Sequence, residues 1–239
     1  MKKLKTLAVI PAFNEQGKIG ITVRKAKPFV DKVLVADDCS KDKTAAEAKK
    51  AGAIVISHKA NQGAGAAIRT GIDYAIRHGF DVCIDMGGDD QDNPDEIPRL
   101  MKEISAGFDF VQGSRWLSEG KRVNIPLFRV ITTKSYSFFF SILEGFPITD
   151  GSNGFRAFRT KMFTKAGGKI NLWQDWLNRY ELEPYMYHYA IKHYKVKEAP
   201  VTKRYPKDKR KKKFSKMIPL VDWWRITRPL IFLKLGLKK

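Results

Sequence analysis

Residues 80–94 read FDVCIDMGGDDQDNP. A short apolar run closes on Asp85, and a glycine pair, a crowd of carboxylates and a proline follow it. Four to six apolar residues bounded by turn formers predict a buried strand. The run from Asp92 onward predicts the start of a helix near Pro94. Asp92 or Asn93 serves as its N-cap there, with Asp95 and Glu96 in the first turn. Asp89 and Gln91 lie closer to the strand end. Carboxylate and amide oxygens at that place select a hard divalent cation, Mg2+ or Mn2+, rather than zinc. No EF-hand register of oxygens fits the stretch.

The same pattern repeats outward. LAVIPAF (7–13, in the stretch 4–13), VLVADD (33–38), AIVIS (53–57) and DFVQG (109–113) are further apolar runs. Helical stretches fall between them, at about 15–29, 42–51, 64–79 and 94–106, and the third carries Ile68, Ile72, Ala75 and Ile76 at helical spacing. Strands alternating with helices predict right-handed βαβ units and a mostly parallel sheet. Ligands bind at the carboxyl ends of such strands, where Pro11–Glu15, Asp37–Asp38 and the acidic stretch all fall. Past residue 115 the alternation stops. Residues 127–145 predict a helix with a bulky aromatic face, 150–158 a turn into a strand, 176–193 a helix and 194–201 a late strand.

Asp37 and Asp38 end an apolar run, where a carboxylate accepts hydrogen bonds from a ribose or a base. Capping of the following helix is the other reading, but Ser40 or Asp42 caps it equally well, which favours a ligand role for Asp38. NQGAGAAIRTG (61–71) is a small-residue loop opening a helix. It suits an anion at the helix N-terminus and, equally, a tight strand–helix packing turn.

The chain has 239 residues, 43% of them hydrophobic, which supports a sizeable core and argues against wholesale disorder. Its 45 basic and 25 acidic residues leave a formal charge of +20. That excess calls for an anionic partner: nucleic acid, anionic lipid or a phosphorylated substrate. No nucleic-acid motif accompanies the charge. Cys39 and Cys83 lack metal-site spacing and read as ordinary thiols in a reducing compartment. No uncharged stretch of 18 residues exists, so no spanning helix is predicted.

These segments in order resemble glycosyltransferase family 2, with its GT-A fold, and most closely its polyprenyl-phosphate (dolichol-phosphate) mannosyltransferase-like branch. IPAFNE (10–15) is similar to the first-strand motif, VADDCSKDKT (35–44) to the second-strand aspartate motif and NQGAGAAIRTG to the third-helix motif. GSR (113–115), DGSNGFRAF (150–158) and KKFSKM (212–217) also match. The resemblance implies one GT-A domain over residues 1–217, with a nucleotide-sugar-binding half (1–115) and an acceptor half (116–217). It implies Pro11, Ala12, Asn14, Glu15 and Asp38 at the nucleotide, and Asp89 and Gln91 at a Mg2+ or Mn2+ ion. Arg115, Arg129 and Thr133 match positions at an acceptor phosphate, and Arg204 and Lys216 positions at the donor diphosphate. Asp89, Arg115 and Arg129 are the implied catalytic residues. The family's metal motif begins with an aspartate where this chain has Gly87; Asp90 or Asp85 is left to compensate, and on a strand Asp85 and Gly87 share a face.

The implied chemistry is a single inverting displacement at the anomeric carbon of a nucleoside-diphosphate sugar. A phosphate acceptor is already ionised, whereas a hydroxyl acceptor needs a base. Asp150 and Asp175 are the late candidates for that base. WQDW (173–176) resembles the acidic motif of hydroxyl-glycosylating relatives only weakly, and no QxxRW follows. The expected function is therefore sugar transfer to a polyprenyl phosphate at the cytoplasmic membrane face. Transfer to a sugar hydroxyl in cell-envelope polysaccharide or glycolipid synthesis is the first alternative. A non-catalytic membrane- or nucleic-acid-binding module of the same fold is the second. Residues 203–216 hold nine basic side chains and one acid and read as a solvated loop. The tail, 218–239, mixes Trp223, Trp224, Ile226 and Leu230–Leu233 with Arg225, Arg228 and Lys234. It reads as an amphipathic segment seated peripherally on anionic membrane, with packing onto the domain as the other reading.

Overall fold

The computed structural model describes residues 3–164, 166, 168–205, 218 and 220–238. In chain order the strands are β1 (Thr6–Ala12), β2 (Lys32–Asp37), β3 (Ile54–Ser57), β4 (Val82–Asp85), β5 (Phe110–Ser114), β6 (Lys121–Val123), β7 (Arg156–Arg159), β8 (Val196–Pro200) and β9 (Thr202–Arg204). The α-helices are α1 (Ile19–Ala26), α2 (Thr44–Lys50), α3 (Ala64–Arg77), α4 (Ile97–Ser105), α5 (Leu127–Glu144), α6 (Leu182–His193) and α7 (Val221–Lys234). Seven strands form one sheet in the order β3-β2-β1-β4-β7-β5-β8, and β6 and β9 form a separate pair. Every pairing is parallel except the two that β7 makes.

The five apolar runs are strands because both faces of the sheet are covered. Along β1, Leu7 and Val9 enter the core beneath α3, while Ala8 and Ile10 enter the core with α1 and α4. Helix α4 buries Ile97, Leu100 and Ile104 completely, at spacings of three and four. Strand β1 has β2 on one side and β4 on the other, so the winding reverses there and a crevice opens at their carboxyl ends. The chain leaves β4 into the acidic stretch at that crevice.

Three boundaries differ from the sequence expectation. The first helix begins at Ile19, because residues 13–18 are a turn in which Asn14 has φ 51°. Residues 175–177 form only a 3-10 turn, and the helix starts at Leu182. The pair β6–β9 was not foreseen. Residues 203–205 belong to it and to its edge, not to a solvated loop, and Tyr205 is buried.

Helix α7 packs against α6 and α5, burying Leu230. Glu181 is buried before α6 and ion-pairs with Arg228 and, at 3.8 Å, with Arg225. Arg225 also meets Asp222 at 2.7 Å, and the Tyr136 hydroxyl of α5 donates to the Ile226 carbonyl at 3.0 Å. Two of the arginines expected to face lipid are thus held by carboxylates of the chain itself. No helix among the described residues is long and apolar enough to cross a membrane.

Candidate active site

A cavity of about 590 Å³ lies between the carboxyl ends of β1, β4 and β5 and the helices α5 and α7. Pro11, Glu15, Gly87, Gly88, Asp89, Gln91 and Lys203 line it from the sheet side. Arg115, Arg129, Thr133, Glu183 and Tyr205 add polar groups, and Ile131, Phe139, Leu143, Trp223, Ile226 and Leu230 an apolar wall. A charged end and a hydrocarbon wall therefore share one space.

Of the residues expected at the nucleotide, Pro11 and Glu15 line the cavity. Ala12 is buried in the core. Asn14 ties two strand ends together: its backbone N–H donates to Ser40 Oγ and its Oδ1 accepts from Lys41 N, both at 2.9 Å. The Asp38 carboxylate accepts from Gln62 N at 2.8 Å and Gly63 N at 2.7 Å, and meets His58 Nδ1 at 2.8 Å. It thereby fastens the 61–65 loop to the end of β2. That loop is a packing turn. A Cβ at Gly65 would lie 2.2 Å from the Leu177 carbonyl oxygen, and Ala66 N donates to the Asn178 carbonyl at 2.9 Å. The backbone of 177–179 thus occupies the helix end where an anion was one reading.

The acidic stretch divides differently from the expectation. Asp90 has φ 58° and turns outward to ion-pair with Lys25 at 2.9 Å. Asp85 is buried at the carboxyl end of the central strand β4, 3.9 Å from Arg156. Burial pushes its carboxyl well up, Arg156 opposes this, and Glu183 and Asp92 add to it. Neither aspartate lines the cavity beside Gly87. Asp92 is no helix cap: it is 3% exposed, accepts from Gly87 N at 2.9 Å and ion-pairs with Lys203 at 2.8 Å. The helical turn at Pro94 has no side-chain cap. Glu96 instead accepts from Thr202 N and Oγ1, both at 2.7 Å, and holds β9.

Arg115 is buried, and its guanidinium grips Asp150, with Nε to Oδ2 at 2.7 Å and a terminal nitrogen to Oδ1 at 2.8 Å. Ser152 Oγ and the Tyr205 hydroxyl accept two more of its five N–H groups. The fork expected to hold a phosphate is thus closed on a carboxylate. Asp150 is in turn unsuited to act as a base, and Asp175 is exposed and does not line the cavity. Arg129 is half-buried in the first turn of α5 and lines the cavity, one turn before Thr133. The Thr133 hydroxyl donates to the Arg129 carbonyl at 2.6 Å and so can only accept from a ligand.

Arg204 is exposed and does not line the cavity; its neighbour Lys203 does. Lys216 lies outside the described residues. Burial alone would lower the Lys203 ammonium, but Asp92 and Asp89 outweigh it and raise its pKa. Burial raises the Asp89 carboxyl, with Lys203 opposing. Sequence reasoning missed Lys203, Asp92, Glu183 and Tyr205. Glu183 ion-pairs with buried Arg156 at 2.6 Å. The one signal for Lys203 was its place between the apolar Val201 and Tyr205. Of the family's divalent-ion residues, Asp89 and Gln91 line the cavity, and the first carboxylate is missing. Gly87 replaces the first carboxylate, Asp92 is neutralised by a lysine, and the described residues hold no metal-competent group of three or more His, Cys, Asp or Glu side chains.

Residues 7–167 match glycosyl transferase family 2. An uncharacterized protein of Methanocaldococcus jannaschii is 33% identical over 204 residues, 84% of this chain and 82% of its own length. The polyprenol monophosphomannose synthase of Mycolicibacterium smegmatis is 32% identical over 67% of this chain and 64% of its own. The UDP-N-acetylglucosamine–dolichyl-phosphate N-acetylglucosaminyltransferase of Methanococcus voltae is 29% identical over 72% and 74%. Among solved structures, glucosyl-3-phosphoglycerate synthase of Mycobacterium tuberculosis, in complex with Mn2+, uridine diphosphate and glucosyl-3-phosphoglycerate, superposes with a TM-score of 0.69 at 17% identity. It covers 99% of this chain and 81% of that one, and it shares the fold. The chain belongs to glycosyl transferase family 2, has the GT-A fold and is a glycosyltransferase.

Proposed function

We propose that the protein transfers a sugar from a nucleoside diphosphate to a polyprenyl phosphate held at a membrane surface. One observation carries this reading: Arg129 stands in a cavity that also has an apolar wall from α5 and α7. A guanidinium suits a phosphate monoester, and the wall suits the first units of a hydrocarbon chain. Relatives named for polyprenyl and dolichyl phosphates support the acceptor class.

The donor diphosphate meets the Glu15, Asp89, Gln91 and Lys203 side. An acceptor phosphate oxygen, already ionised, attacks the anomeric carbon as the bond to the nucleotide oxygen breaks. Arg129 orients the acceptor, and a fixed cation offsets charge on the departing diphosphate. Neither Asp150 nor Asp175 is placed to deprotonate a hydroxyl, which supports the phosphate acceptor over the hydroxyl one. The synthase of similar fold was solved in complex with Mn2+ and uridine diphosphate; here Lys203 lines the donor side.

Helix α5 supports a membrane-facing orientation. Leu127, Ile131, Phe138 and Ile142 recur at spacings of four, seven and four and are 59–73% exposed. Such a stripe marks an interaction surface, and Leu220, Trp224 and Leu235 are exposed at α7 as well. The cytoplasmic face follows from the family resemblance and the nucleotide-sugar donor. Replacing Arg129 tests the reading: Arg129→Ala should retain nucleotide binding and lose transfer by about a hundredfold or more, about 3 kcal/mol at the transition state. Unimpaired transfer would contradict it.

A further inference from the structure

Gly87 and Lys203 make one arrangement. A Cβ at position 87 would stand 3.1 Å from Asp89 Oδ1 and 3.4 Å from Asp92 Oδ2, so the space a side chain would need there is bounded by two carboxylates. A carboxylate there would be the fourth, adding like charge to Asp85, Asp89 and Asp92. With glycine present, the backbone N–H at 87 donates to Asp92 Oδ2 at 2.9 Å. The other oxygen of Asp92 receives the Lys203 ammonium at 2.8 Å. Backbone pairing fixes that ammonium in place. Arg204 N donates to the Gln91 carbonyl at 2.8 Å, and Asp92 and Lys203 form an antiparallel bridge. The Lys203 side chain is 14% exposed and lines the cavity. An ammonium has three donors; among the described residues Asp92 takes one, which leaves two for phosphate oxygens.

We propose that Lys203, seated on Asp92, is the resident cation that meets the donor diphosphate in this protein, taking the place of a divalent ion. The inference rests on the reading of the chain as a nucleoside-diphosphate-sugar enzyme. Glycine at 87 leaves one carboxylate fewer at the donor end of the cavity, and Lys203 places a fixed ammonium there. A buried ammonium is already desolvated and oriented, so little reorganisation accompanies donor binding.

The test is calorimetric titration of the full chain with uridine, guanosine, adenosine, cytidine and thymidine diphosphates, each in excess EDTA and in excess Mn2+. The nucleotide that binds should do so in both buffers with dissociation constants within about threefold of each other. Lys203→Met should weaken its binding in EDTA by about tenfold or more, equivalent to about 1.4 kcal/mol. The same variant should bind the corresponding nucleoside monophosphate as the wild type does, which separates loss of the cation from loss of the fold. Diphosphate binding that appears only with Mn2+ would overturn the proposal and leave the donor reading intact. That wild-type result decides the matter even if the variant fails to fold. No diphosphate binding in either buffer would overturn the donor reading and the proposal together.

Discussion

The two halves of the chain are held together by different physics. From β1 to β4 the sheet is built by apolar alternation: successive residues enter opposite cores, and the carboxylates lie at strand ends. From β5 onward the connections are buried charges between residues far apart in sequence. Arg115 grips Asp150, Arg156 holds Glu183 near Asp85, and Glu181 receives Arg225 and Arg228. The first half is a mould drawn mainly by apolar periodicity, with Asp38 and Asn14 fastening its strand ends. The second is an arrangement that each ion pair must complete, and there the acceptor side of the cavity is assembled.

The contrast can be broken by removing one such pair. Asp150→Ala leaves Arg115 buried without its carboxylate and should cost about 3–5 kcal/mol in chemical denaturation. The exposed pair of the first half offers the control: Asp90→Ala, which frees Lys25, should cost no more than about 1 kcal/mol. Equal losses would mean that the second half does not depend on its buried charges.

A second contrast lies within α5, between its cavity face and its exposed stripe. The double substitution Phe138→Ser with Ile142→Ser should reduce flotation on vesicles containing anionic lipid by about tenfold or more, since each buried side chain contributes about 1.5–3 kcal/mol. Thermal stability should hardly move, because both residues are exposed. Unchanged flotation would place the membrane contact elsewhere.

The smallest effect concerns Glu198, which accepts from Thr149 N and Asp150 N, each at 3.0 Å, beside the Arg115 pair. Burial raises its carboxyl pKa despite those donors. The folded state therefore binds the proton more tightly than the unfolded chain does. This contribution is fully present below the ordinary glutamate value of about 4.3 and is lost as pH rises from there through the raised folded value. Glu198→Gln removes that loss. Its melting temperature relative to wild type should improve as pH rises from mildly acidic to neutral, by a few degrees at most. A difference independent of pH would contradict the assignment.

How much was legible in the sequence follows the same division. Strands β1 to β5 and helices α2 to α5 were readable because burial on two faces imposes periodicity. Asp89 and Gln91 were found as oxygen ligands near a strand end and Arg129 through the family resemblance, and all three line the cavity. The partners of charged residues were not readable. Lys203 sits in a run of basic residues whose composition predicts solvent, yet backbone pairing with 91–92 turns it inward. Arg225 and Arg228 read as lipid contacts until Glu181, more than forty positions away, is brought beside them. Asp38 read as a ligand contact, and the 61–71 loop equally as an anion site or a packing turn, because a strand-end carboxylate and a close-packed turn carry the same local pattern as a binding loop.

The central claim is a phosphate acceptor in a cavity where neither Asp150 nor Asp175 is placed to serve a hydroxyl as base. The most direct measurement offers the purified chain a labelled nucleoside-diphosphate sugar with either a polyprenyl phosphate or the matching polyprenol, and follows label into the lipid phase. The account predicts label transferred to the phosphate and none above background to the alcohol. Transfer to the alcohol at a comparable rate would contradict it.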